Sequence, residues 1–339
     1  MKFRQGLLFL CLLFSSLSLS AQDIHFTMFD RAPLTLNPAF TGAFEGTFRI
    51  GGIYRDQWRG LYRTPNVYLD APILPGLGKM DWIGVGGSFY SDKAGKIAEL
   101  TNSGGFLSAA YHLSLDKKRK TVLTFGIQGG TAQRRVMLDD NVRFGDQLEA
   151  QLQGQTSAQT MDVNIDTARN SSFTLNGGVL LTTQVNEKTK LVFGVGGIHL
   201  NGPEYAFTQG RRTDRDLRFN AHARADISLN DKWSLSPAFA FQTIGASQDV
   251  APQLWAGYMI NPEKQIRLNF GTGYRLGDAA EIMVGLDYEA FSFAVAYDLN
   301  ISDATDYTNG VGGFEIAASY IARIYNKPEP NPQIFCPRF

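Results

Sequence analysis

Asp214-Arg215-Asp216-Leu217-Arg218-Phe219-Asn220-Ala221-His222-Ala223-Arg224-Ala225-Asp226-Ile227-Ser228-Leu229-Asn230 sorts its residues by parity. The odd positions from Leu217 to Leu229 are all apolar, and the even positions from Asp216 to Ser228 are all polar or charged. Strand side chains alternate between faces with period two, so the stretch reads as one strand, greasy on one side and ionic on the other. It outruns the usual globular strand of about 5–6 residues.

The same alternation recurs outward from this stretch. Ile266, Leu268, Phe270, Thr272 and Tyr274 oppose Arg267, Asn269, Gly271, Gly273 and Arg275. Ile282, Val284, Leu286 and Tyr288 oppose Met283, Gly285, Asp287 and Glu289, and Phe291 to Leu299 alternate with Ser292 to Asn300. Trp233, Leu235, Phe239 and Phe241 oppose Ser234, Ser236, Ala238 and Gln242. About fourteen strands follow, centred near Ile50, Val67, Val85, Leu107, Phe125, Gly177, Phe193, Ala221, Phe239, Trp255, Phe270, Val284, Val295 and Ile316.

Long amphipathic strands suit either a soluble sandwich or a membrane barrel whose apolar parity meets lipid. Aromatics at strand ends favour the barrel, where interfacial girdles use them: Tyr54, Trp58, Trp82, Tyr90, Trp233, Trp255, Tyr258, Tyr274 and Tyr288. The connections sort by side as well. Ile73–Lys79, Asp116–Lys120, Asn186–Lys190, Asn230–Lys232, Asn261–Lys264 and Glu289–Ala290 are short, as periplasmic turns are. The longer Ser91–Thr101, Val136–Asn170, Gly202–Thr213 and Ser302–Gly310 fall on the other side, with Val136–Asn170 expected to be an outer or lid-like loop. In lipid every backbone N–H and C=O must pair, so such a sheet survives only closed. The expectation is an all-β, antiparallel transmembrane β-barrel of outer-membrane type over residues 45–325, lipid-facing outside, with both termini periplasmic.

The N-terminus fits export. Met1-Lys2-Phe3-Arg4 is basic, Gly6–Phe14 is apolar, and small residues run to Ala21. This is the layout of a cleavable signal over residues 1–21, too short to span a bilayer. Cleavage removes Cys11 and leaves Cys336 alone, so no internal disulfide framework holds the mature chain. Residues 22–44 contain Pro33 and Pro38, which disfavour a regular element; a periplasmic or luminal plug is expected there. Lys327-Pro328-Glu329-Pro330-Asn331-Pro332 makes residues 326–339 an extended tail.

Chemistry-bearing constellations are sparse. Equal numbers of acidic and basic residues give no nucleic-acid surface. His222 sits among Asn220, Arg224 and Asp226, where a salt-bridged luminal residue is the simpler reading than a metal or acid–base site. His25, His112 and His199 show no ligand spacing. Ser228 lies about 20 Å along the strand from His222 at ~3.3 Å per residue, too far to form a nucleophile–base pair. Gly84-Val85-Gly86-Gly87 and Gly194-Val195-Gly196-Gly197 precede no helix pattern and lack the phosphate-loop lysine. No catalytic residue, metal or cofactor is expected.

Several motifs carry a family resemblance. Gln22-Asp23 opens the segment, Asn37-Pro38-Ala39 and Gly42 precede the first strand, and Arg55-Asp56-Gln57-Trp58 ends it. Tyr297-Asp298-Leu299-Asn300 and Gly313-Phe314-Glu315-Ile316 lie in the last two strands, and Cys336-Pro337-Arg338-Phe339 closes the chain. In this order they resemble the PorP/SprF family of the type IX secretion system. The resemblance implies a non-enzymatic outer-membrane component supporting export or surface attachment of secreted proteins such as gliding adhesins. It also implies other secretion components, secreted surface proteins and a periplasmic peptidoglycan-linked lipoprotein as partners. Asn37, Pro38, Arg55, Gln57, Trp58, Cys336, Pro337, Arg338 and Phe339 are the candidate partner contacts it marks. The alternative is a passive channel or transporter for small solutes or lipids; an acyl hydrolase and a soluble sandwich stand further off.

Overall fold

The computed structural model describes residues 23–77, 80–95, 98–138, 169–204, 214–302, 305–308 and 310–324. The expected signal, the tail with Cys336 to Phe339, and residues 139–168 of the long loop lie outside them.

Alternating strands close into one barrel: β1 (Phe48–Gln57), β2 (Tyr62–Leu77), β3 (Asp81–Ala94), β4 (Ala98–Ser114), β5 (Thr121–Leu138), β6 (Arg169–Asn186), β7 (Thr189–Ile198), β8 (Arg218–Ser228), β9 (Trp233–Ile244), β10 (Ser247–Asn261), β11 (Ile266–Arg275), β12 (Ala279–Tyr288), β13 (Phe291–Asn300) and β14 (Val311–Ala322). Each pairs antiparallel with its sequence neighbours, and β1 closes on β14 from Phe48↔Ala322 to Gln57↔Gly313. Every strand centre read from the sequence falls inside its strand. Closure leaves no unpaired edge to face lipid.

The expected parities hold. Phe219, Phe239, Phe270, Val284, Val295 and Ile316 are exposed outward, whereas Asn220, Arg275, Glu281, Asp298 and Glu315 are buried inward. The apolar core therefore lies inside the barrel. Ile24, Phe26, Met28 and Ala32 of the N-terminal segment pack there against Ile53, Tyr90, Phe106, Trp255, Met283 and Ala317 of the wall.

Three expectations need correcting. The Asp214–Asn230 strand begins only at Arg218; Asp214 forms an isolated bridge with Glu204. Ser91–Thr101 is no long loop, because β3 and β4 stay paired out to Ala94↔Leu100 and leave a tight connection. β4, β5 and β6 likewise continue past β7 and raise one side of the wall at the long-connection end. Finally, Trp82, Tyr90 and Trp255 belong to no lipid girdle. Tyr90 and Trp255 are buried in the interior core. Trp82 stacks on His112 at 4.4 Å and donates from Nε1 to Gly42 O. Trp233, Tyr274 and Tyr288 do point outward.

Candidate functional site

The site is the segment from Asp23 to Gly42 and the wall that grips it. Asp23 lies at the long-connection ends of β7 and β8. Its carboxylate accepts from Arg215 Nη2 (2.5 Å) and Arg218 Nη1 (2.9 Å), and lies 3.2 Å from His199 Nε2. The chain then descends to Asp30 and Arg31 near the short-turn end. Asp30 pairs with Arg224 Nη1 (2.5 Å), and Arg31 Nη1 donates to Ser292 Oγ (2.5 Å). It turns back through α1 (Pro33–Leu36), started by a proline at the first helical position. Arg218 Nη2 donates to Thr35 O, and Asn220 Nδ2 donates to Leu36 O. It leaves the lumen at Gly42, whose N–H donates to Asp70 Oδ2 (2.7 Å) beside the Arg49–Asp70 ion pair.

Halfway down the outer limb sits a buried ionic knot. Thr27 N and Met28 N donate to the two oxygens of Glu315 at 2.6 and 2.9 Å. Arg55 Nη1 donates to Glu315 Oε1 (2.5 Å) and Thr27 Oγ1 (2.7 Å), and Arg55 Nη2 donates to Asp298 Oδ2 (2.8 Å). Thr27 Oγ1 in turn donates to Asp298 Oδ1 (2.7 Å). Arg275 reaches Glu281 (3.2 Å) and Asp298 (3.4 Å), and Gln253 Nε2 donates to both Thr27 O and Glu281 Oε2 at 2.7 Å. Charged groups stay ionised in such a setting only when each is paired and hydrogen-bonded.

Asn37 ties the returning limb to the wall. Its Nδ2 donates to Val179 O and Val195 O, both at 3.1 Å, and lies 3.2 Å from His222 Nε2. Its Oδ1 accepts from Ala39 N (2.9 Å), capping the 3-10 turn Pro38–Phe40. Glycines of the wall make room for this turn. A Cβ on Gly178 would collide with Asn37 Oδ1, and one on Gly126 with the Pro38–Ala39 backbone. His222 is occupied by Asn37 and by stacking on Phe40 (5.1 Å). His112 bridges Thr41 O and Thr124 Oγ1, both at 2.9 Å.

The structure brings Asn37, Pro38 and Arg55 together with the lumen rather than with a surface. Asn37 and Pro38 are buried, and Arg55 is 2% exposed. Asn37 and Pro38 belong to the plug and seat it on the wall, and Arg55 holds it at Thr27. Gln57 Oε1 lies 3.4 Å from Arg55 Nε, and Trp58 packs edge-on against Tyr62 at the long-connection rim. Glu281, Gln253 and Arg49 were not singled out by sequence. Glu281 and Gln253 share the inward parity with recognised luminal neighbours, which was the available signal. Among the described residues no group of three or more His, Cys, Asp or Glu is placed to hold a metal ion.

Two plug residues make seating pH-dependent. Burial pushes His25 down to about 3, helped by the charges of Arg275 and Arg55. Burial alone would raise Asp23, but Arg215 and Arg218 overcome it and hold the carboxyl well below its usual range. A released plug takes up a proton on His25 below about pH 6.5, and a seated one does not until about pH 3. Seating is thus complete above pH 6.5 and weakens as pH falls, by about 1.4 kcal/mol per unit. Asp23 acts in the same direction below about pH 4, because its depressed value is a stabilisation lost on protonation. Protease access to residues 23–42 in detergent should rise from pH 7 to pH 4, and His25→Gln should lessen the rise, with His112, His199 and His222, which also touch the plug, left in place. An unchanged profile in the wild-type protein would refute this.

Solved structures of similar shape are outer-membrane barrels. The toluene transporter TbuX of Ralstonia pickettii superimposes with a TM-score of 0.50 at 12% identity, over 86% of this chain and 93% of its own. A mutant of the monoaromatic hydrocarbon channel TodX gives 0.50 at 10% identity, over 86% and 94%. At such identities the likeness concerns the fold. No curated protein matches the sequence. The model of the type IX secretion system membrane protein PorP/SprF matches residues 18–320, both limbs of the plug and nearly the whole barrel among them. This outer-membrane barrel, gripped from within by its own N-terminal segment, belongs to the PorP/SprF family of the type IX secretion system.

Proposed function

We propose that the protein is a non-enzymatic outer-membrane component of type IX secretion that supports export or cell-surface attachment of secreted proteins such as gliding adhesins. One observation carries this reading: the lumen is occupied by a segment anchored at its start by a buried ion pair and along the rest of its length by hydrogen bonds to the wall. A barrel filled in this way is suited to docking other proteins at its rims, not to passing solutes. Residues 1–21 are the export signal. Phe48 and Ala322, where the barrel begins and ends, face the periplasm with the short turns, and the plug reaches up from that side. The tail 326–339, with Cys336-Pro337-Arg338-Phe339, docks a periplasmic peptidoglycan-linked lipoprotein, and Gln57 and Trp58 lie at the opposite rim.

Crosslinking in isolated outer membranes, pull-down and mass spectrometry test it. Secretion components should be recovered with the full chain, and recovery of the lipoprotein should drop severalfold when 327–339 are removed. Recovery of porin-type neighbours alone would overturn the secretion role; unchanged recovery without the tail would overturn its docking.

A further inference from the structure

A recess of about 320 Å³ opens beneath Asp30 and Arg31 toward the short-turn end of the lumen. Ser228, Ser234, Arg267 and Asp287, which border the tight turns there, form its mouth, and Trp255 forms part of its floor. The volume sits at the lower end of the range for ligand sites, about 300–1,000 Å³.

Three arginines and three aspartates line it, so its formal charge is zero: Arg31, Arg224 and Arg267 against Asp30, Asp226 and Asp287. Its bonding capacity is not balanced. Asp226 Oδ1 is engaged by Arg224 and Ser236, both oxygens of Asp287 by Asn269 and Ser292, and Asp30 Oδ2 by Arg224. The donors are in surplus. The half-buried Arg267 guanidinium makes no ion pair or hydrogen bond among the described residues, although Asp287 is its cross-strand neighbour. An unpaired guanidinium facing a sheltered recess offers its donors to an incoming acceptor.

We infer that this recess binds a carboxylate entering from the short-turn mouth. A planar two-oxygen anion matches the fork of Arg267. A single negative charge suits a site with no net positive charge, whereas dianionic phosphate would be repelled by the three aspartates. The carboxylate can come from a free small acid or from an acidic side chain of a peptide. The inference stands on this geometry and is independent of the secretion role.

Binding to the purified full-length protein in detergent tests it, read by tryptophan fluorescence and calorimetry. The probes are butyrate, an acetyl-Gly-Glu-Gly amide peptide, its glutamine twin and inorganic phosphate. Butyrate or the glutamate peptide should bind, the glutamine twin and phosphate should bind at least about tenfold more weakly, and Arg267→Gln should cost about tenfold or more. The tighter of the first two identifies the source. Trp255→Phe should abolish the fluorescence change while calorimetric heat persists. Heat-modifiable migration on gels confirms that each variant is folded. No saturable binding to the folded wild type, phosphate binding as tightly as butyrate, or indifference to Arg267→Gln would each overturn the site.

Discussion

The purified wild-type protein should leave a planar bilayer closed to ions, and deletion of residues 23–42 should open a persistent conductance. Fourteen strands enclose a lumen too wide for wall side chains alone to fill, since about eight already bring the interior to that limit. The plug makes the difference. Its apolar face packs on Ile53, Tyr90, Phe106 and Met283, and its polar atoms are spent on Arg55, Glu315, Asp298 and Arg218. Two cavities beside its upper part measure about 40 and 20 Å³, room for isolated waters only, and the recess of about 320 Å³ lies below them at Asp30 and Arg31. A milder variant guards against a deletion that fails to fold. Gly178→Val places a Cβ against Asn37 Oδ1 and forces the Asn37–Phe40 turn off the wall, so it should leak intermittently. Steady open-channel steps from the wild-type protein would reject the plugged state and favour the passive-channel alternative.

The barrel was legible in the sequence because its cause is local. Period-two alternation, as in Phe291 to Asn300, needs only neighbouring residues to be read. The plug was not legible in the same way. Met28 N meets Glu315 and Asn37 meets Val195 across more than a hundred intervening residues, and nothing near either residue announces the contact. Pro33 and Pro38 ruled out a regular element without saying what the segment touches. Trp255 shows how an aromatic misleads when composition is read without parity. It shares its face with Ala251, Gln253 and Gly257, all buried, and opposes Leu254 and Ile260, both exposed. That pattern places it in the lumen. Arg55 is among the partner contacts that the resemblance marks, and here its guanidinium is spent on Glu315, Asp298 and Thr27 inside the barrel. Glu281 was missed because β12 starts at Ala279, before the apolar alternation becomes visible.

Arg55 is also where the largest loss of stability is expected from a single substitution. It stands directly across from Glu315 in the β1–β14 register, so their ion pair spans the seam that closes the barrel. The same two side chains hold Thr27 of the plug, which couples closure to plugging. Arg55→Met leaves Glu315 with the Thr27 and Met28 N–H groups only, and leaves Asp298 with Arg275 at 3.4 Å as its nearest cation. Both carboxylates remain shut away from water, their side chains at most 2% exposed. Removing one partner of a buried pair costs about 3–5 kcal/mol, because the stranded charge keeps its desolvation penalty. An exposed pair costs about 0–1 kcal/mol, and Lys93–Glu99, with side chains 47% and 30% exposed, supplies that control. Urea unfolding followed by heat-modifiable migration measures both. Glu315→Gln should cost less than Arg55→Met, since an amide oxygen still accepts from the plug backbone. The double variant should cost less than the sum of the two, and the shortfall is the coupling energy across the seam. A loss for Arg55→Met no larger than for Lys93→Met would mean that water reaches the knot, and that the plug is seated by its apolar face alone.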